Sequence, residues 1–123
     1  MPALPTGRAT ALACLLLLPL GACVSQHADS SAGRASALAT TVSRATACKA
    51  GSPQRGTFDR FLAAEKARGA SDDQLAAARS AYVSISEAET VNQSVRPQRC
   101  TAEERAELKA RMAAIRAGTF DTP

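Results

Sequence analysis

Aromatic side chains are nearly missing from this chain: its 123 residues hold no tryptophan, one tyrosine and three phenylalanines. The apolar share of 46% is made in large part by alanine, which favours helix but buries little area, so a core built from it is thin. The large apolar side chains beyond residue 36 are Leu38, Val42, Phe58, Phe61, Leu62, Leu75, Tyr82, Val83, Ile85, Val91, Val95, Leu108, Met112, Ile115 and Phe120. A body of roughly 80 residues with so few of them is marginally stable without a staple.

Chemistry is as sparsely supplied as bulk. His27 is the one histidine, so the helical part that follows has no imidazole for a Ser/His/Asp or Cys/His arrangement. No cysteine has another two residues away, which removes the CxxC redox signature and any zinc ligand set of useful spacing. A GxxxxGK loop, a GxGxxG turn and an EF-hand spacing are all absent. The acids fall into three clusters, Asp72-Asp73, Glu87 with Glu89, and Glu103-Glu104-Glu107. Two clusters occupy expected first helical turns, where acids offset the helix dipole, and that reading outweighs paired-carboxylate catalysis. The inventory points away from an enzyme and away from a metal or other cofactor.

Charge excludes another class. The formal net charge is +4, far from the dense basic patch that nucleic-acid binding needs, and no aromatics are interleaved for base stacking. One local run is richer in bases: Arg44, Lys49, Arg55, Arg60, Lys66 and Arg68 stand against only Asp59 and Glu65. Sharing a face, they would suit anionic headgroups or an acidic partner; scattered, they are a solvated surface.

What the chain does have is an export leader. Residues 1–8 carry one base, Arg8; residues 9–20 are apolar and include Leu15-Leu16-Leu17-Leu18; Leu20-Gly21-Ala22-Cys23 closes the segment. A run of about a dozen apolar residues is too short for the roughly 20 that span a bilayer. The closing four residues resemble the lipobox of bacterial lipoprotein precursors: an aliphatic residue, two small ones and a cysteine. The resemblance implies that residues 1–22 are removed and that Cys23 carries acyl chains as the new N-terminus. By the same resemblance, Val24 in place of an aspartate implies the outer membrane, facing the periplasm. Anchoring would be firm, at about 0.8 kcal/mol per buried methylene. The alternative is ordinary secretory cleavage near Ala28, which would put Gln26 where a small residue is preferred and discard Cys23.

With the leader read this way, the four cysteines sort themselves. Cys14 leaves with the leader and Cys23 takes the lipid. Cys48 and Cys100 remain, in a compartment where disulfides persist, and are expected to pair. Closing that loop removes unfolded-state entropy of about 4 kcal/mol.

The remainder divides into a small, polar tether over residues 23–36, a helical domain over residues 37–120 and a tail at 121–123. Helices are predicted over residues 36–49, 57–68, 71–89 and 102–117. Thr57 is the expected N-cap of the second. Ser71-Asp72-Asp73-Gln74 and Thr101-Ala102-Glu103-Glu104 read as capping boxes for the third and fourth. Gly69 and Gly118 read as helix stops, and Pro97 bars helix beyond the third. Residues 91–99, tied down by Cys100, form either a contact loop or a connector. The fold class is all-α: a small bundle of three to four short helices closed by one disulfide. The expected role is non-enzymatic, binding or structural, at the envelope. The membrane is met through the lipid, with another envelope protein or the cell wall as further partner and no nucleic acid. The alternative role is that of a soluble periplasmic inhibitor, immunity-type or chaperone-like helical protein.

Overall fold

The computed structural model describes residues 28–121. The leader, Cys14, Cys23, His27 and the last two residues lie outside the described part. Among the described residues four helices follow one another: α1 (Ser31–Ala47), α2 (Thr57–Ala67), α3 (Asp72–Val95) and α4 (Ala102–Arg116). No strand occurs among the described residues, so the all-α expectation holds.

Direction follows from side-chain ties. Glu65 near the end of α2 holds Ser31 and Arg34 at the start of α1, while Glu104 at the start of α4 holds Arg44 near the end of α1. Both α2 and α4 therefore run against α1, and α3 between them runs along it. α1 is the central helix, packed on α3 over most of its length and on α4 at one side. Ala35, Ala39 and Ala45 of α1 and Ala78 of α3 are fully buried. Side chains this small let two helix axes come close, which is how an alanine-rich sequence still excludes water.

The scarce aromatics are pooled rather than dispersed. Phe58 stacks on Tyr82 with ring centroids 4.1 Å apart, and on Phe61 at 5.8 Å. Phe61 meets Phe120 edge-on at 5.7 Å. All four aromatic residues of the chain thus form one cluster, joining α2, α3 and the segment after α4, and each such pair adds about 0.5–1.5 kcal/mol beyond area burial. Leu38, Val42, Leu62, Leu75, Leu108, Met112 and Ile115 complete the core. Val83, Val91 and Val95 do not join it; they remain exposed along α3.

Three boundaries differ from expectation. The tether does not extend to residue 36, because α1 begins at Ser31 with Ser30 as N-cap, its hydroxyl accepting from Gly33 N at 3.0 Å. This first turn has no large apolar residue to betray it; it is fastened by buried Ala35 and by polar ties to Glu65. Helix α3 continues past Glu89 to Val95, since nothing before Pro97 forbids helix. Thr57 is not the N-cap of α2: Gly56 is, with φ 76°, and the Thr57 hydroxyl donates back to Gln54 O at 2.7 Å.

Three helices end alike. Ala50 N reaches Ala45 O, Ala70 N reaches Glu65 O and Thr119 N reaches Ala114 O, each enclosing a second bond between residues three apart. This Schellman turn needs one residue in left-handed conformation. Gly69 and Gly118 supply it for α2 and α4, but at the end of α1 the position is Lys49, at φ 53°.

Candidate functional site

Cys48, the C-cap of α1, and Cys100, just before the N-cap of α4, form the expected disulfide, with Cα atoms 5.7 Å apart. The bridge sits in a ring of polar ties. Arg44 donates to both oxygens of Glu104, at 2.5 and 2.9 Å, and its Nη2 also reaches Arg99 O. Arg105 Nε donates to Cys48 O at 3.0 Å. The Arg44 bond, opposed by some desolvation, holds the Glu104 carboxyl below the usual range. Arg44 Nη1 is buried and without a hydrogen-bond partner.

This arrangement corrects the second capping box. Thr101 does accept from Glu104 N at 3.1 Å, yet the reciprocal bond is not made, because the Glu104 side chain is turned to Arg44. At α3 both halves of the box are present, between Ser71 and Gln74. Among the described residues, Cys48, Cys100 and Glu104 also form the one group whose donor atoms lie within 4.8 Å of each other. Sulfurs bonded to each other offer no thiolate to a cation, and the carboxylate is already engaged by a guanidinium.

The other acids are placed separately. Asp72, Asp73 and Glu103 stand exposed in first helical turns, Glu107 pairs with Arg111, and Glu89 adds to the field that raises the Arg44 pKa. A cleft of about 60 Å³ opens between Leu38 and Thr41 of α1 and Ala114, Ile115 and Phe120, far below the roughly 300 Å³ at which small-molecule sites begin.

No local pattern marks the buried acid. Glu65 is 1% exposed, accepts from Ser31 Oγ at 2.6 Å and is bound by Arg34 through both oxygens, at 2.9 and 2.5 Å. Arg34 chiefly, with Ser31 and Arg68 adding and burial opposing, keeps its carboxyl below the ordinary range.

Of the six bases between residues 44 and 68, two are internal ties: Arg44 with Glu104, and Arg68 with Asp121 and Glu65. Lys66 is exposed on the edge of α2 away from Arg60. The remaining three join a stripe on α4. Residues 49–56 run along α4, held by Arg105 to Cys48 O and by Arg116 Nη2 to Ser52 O at 3.2 Å. Arg60 Nη1 reaches Arg116 O at 3.4 Å. Lys109 falls between Arg105 and Arg116 on the same side, since spacings of four and seven return to one helix face. Lys49, Arg55, Arg60, Arg105, Lys109 and Arg116 are all exposed, and none has an ion-pair partner among the described residues. Half of this face comes from α4, some 50 residues on, so a scan of one run missed it; the visible signal was the Arg105–Lys109–Arg116 period.

Comparison with protein-family models, with curated proteins and with solved structures finds no match. Among the described residues, no helix is long and apolar enough to cross a membrane.

Proposed function

We propose that this chain is a lipid-anchored cell-envelope protein with a non-enzymatic, binding or structural role in the periplasm. The observation that carries the reading is the Cys48–Cys100 bridge. It uses both cysteines of the helical domain, is of a kind that persists in oxidising compartments, and leaves Cys23, at the end of the lipobox-like Leu20-Gly21-Ala22-Cys23, out of the bridge. The non-enzymatic part rests on the supply of groups: the domain has no histidine, and its acids are dispersed or tied to arginines.

The test is the intact mass of protein extracted from membranes, taken before and after reduction and thiol labelling. A chain beginning at Cys23 with acyl mass, and two thiols labelled only after reduction, supports the reading. A chain beginning further on, without acyl mass and recovered in the soluble periplasmic extract, overturns the anchor. Catalytic turnover by the purified protein would overturn the non-enzymatic part.

A further inference from the structure

The six cations on the face formed by residues 49–56, Arg60 and α4 have no acid set among them. Glu103 and Glu107 project from the opposite side of α4, and Glu107 is paired with Arg111 there. Glu104 is turned to Arg44, and Asp59 points away from Arg60 by one helical step of about 100°. Elsewhere in the molecule Arg34, Arg44, Arg68 and Arg111 are each matched to an acid, while Lys66, Arg79, Arg96 and Arg99 stand exposed and dispersed, without an ion-pair partner among the described residues. Six of the ten unpaired bases among the described residues thus stand together on this face.

The backbone beneath the face is shaped to it. Lys49 occupies the left-handed position that glycine fills at the ends of α2 and α4, a conformation disfavoured for a side-chain-bearing residue, and its ammonium is exposed with no partner. Gly51, two residues on, has φ 151°, and a Cβ there would lie 3.4 Å from Met112 Cβ and from Arg116 Nη2. The extended segment therefore lies close on α4, and the two rows of cations form a single sheet of charge.

We propose that this face docks on the anionic headgroups of a phospholipid bilayer, so that the domain lies against the membrane with α4 and residues 49–56 turned to it. The proposal rests on the lipid-anchor reading only for how the domain reaches the surface. A bilayer suits the face better than a protein does. Stable protein contacts centre on a desolvated apolar or aromatic anchor, whereas Met112 is 1% exposed here and the exposed valines all lie on α3. A base close to an anionic surface strengthens association roughly fivefold, and the effect is screened within about 8–10 Å at moderate salt.

The experiment uses the full mature protein as extracted, reconstituted on vesicles of phosphatidylcholine alone or with one third phosphatidylglycerol. Amine acetylation rates of Lys49 and Lys109 are read by mass spectrometry, with Lys66 as reference. On anionic vesicles Lys49 and Lys109 are expected to label at least about fivefold more slowly relative to Lys66, and to recover in high salt. An Arg55→Gln/Lys109→Gln variant, altering two side chains without partners, is expected to lose most of the protection at Lys49 while keeping its urea midpoint. Equal rates on both vesicles, or protection unchanged in the variant, would overturn the proposal. So would protection that arises on neutral vesicles only after acidic soluble proteins are added. Failure of the anchor reads out differently: a chain without acyl groups does not sediment with neutral vesicles, yet still sediments with anionic ones if the face works.

Discussion

Among the described residues, Glu65 is the one acid closed off from solvent; two of its three neighbours, Ser31 and Arg34, come from another helix, and the third, Arg68 at 3.9 Å, follows three residues on. Glu65→Gln keeps the volume and removes the charge that orients Arg34; unfolding free energy should drop by about 1–3 kcal/mol, read from urea midpoints. Since the folded carboxyl titrates below the ordinary range, its contribution is complete above that range and is lost as pH falls through the folded value. The midpoint of the unaltered protein should therefore decline on acidification more steeply than that of Glu65→Gln, the two converging at low pH. Parallel curves would show that the ion pair adds nothing. Lys49 makes the opposite case. Lys49→Gly relieves a left-handed lysine and should raise stability by up to about 1 kcal/mol, while removing one cation from the basic face.

At the scale of elements, the caps separate what sequence discloses from what it hides. A capping box is a local contract between residues three apart, so Ser71 with Gln74 was legible, as were Gly69 and Gly118 after the last apolar residues. Thr101 was legible as a cap, but Glu104 was not, because its partner Arg44 lies 60 residues away. A Ser71→Ala/Gln74→Ala variant removes both bonds of the α3 box, and Thr101→Ala removes the one side-chain bond at the start of α4. Each should cost about 1 kcal/mol, with the α3 variant the worse of the two, as thermal melts would show; the reverse order would mean the Gln74 bond is idle. The start of α1 stayed hidden for a related reason. Periodicity is read from large apolar side chains, and this turn holds Ser31, Ala32, Gly33 and Arg34. Its order comes from a clasp on another helix. The basic face was half visible in the same way: Lys49, Arg55 and Arg60 stand close together in sequence, but only the folded chain lays them beside Arg105, Lys109 and Arg116.

Over the whole molecule, stability is divided between two ends. The aromatic cluster and the Glu65 clasp close one end of the bundle, and the Cys48–Cys100 bridge with Arg44 and Glu104 closes the other. Alanine fills the length between them, contributing close approach but little area. The bridge, spanning 52 residues, should therefore carry a large share of net stability. A Cys48→Ala/Cys100→Ala variant is expected to lose roughly 2–5 kcal/mol, visible as a lowered melting temperature that reductant does not lower further. A variant as stable as the oxidised protein would place the stability in the helix contacts instead.

The central position of α1 has a mechanical consequence. A pull on the chain from its N-terminal side enters the domain at Ser30 and passes straight into the first turn of α1. There it meets Arg34 and Ser31 locked to Glu65, so the load is shared at once with α2 instead of unravelling α1 turn by turn. Were the clasp to open, the strain would travel along a helix flanked by α3 and α4 and stop at the covalent bond of Cys48. α1 is in this sense a tension rod, with a releasable catch at the end that faces the pull and a permanent stop at the other.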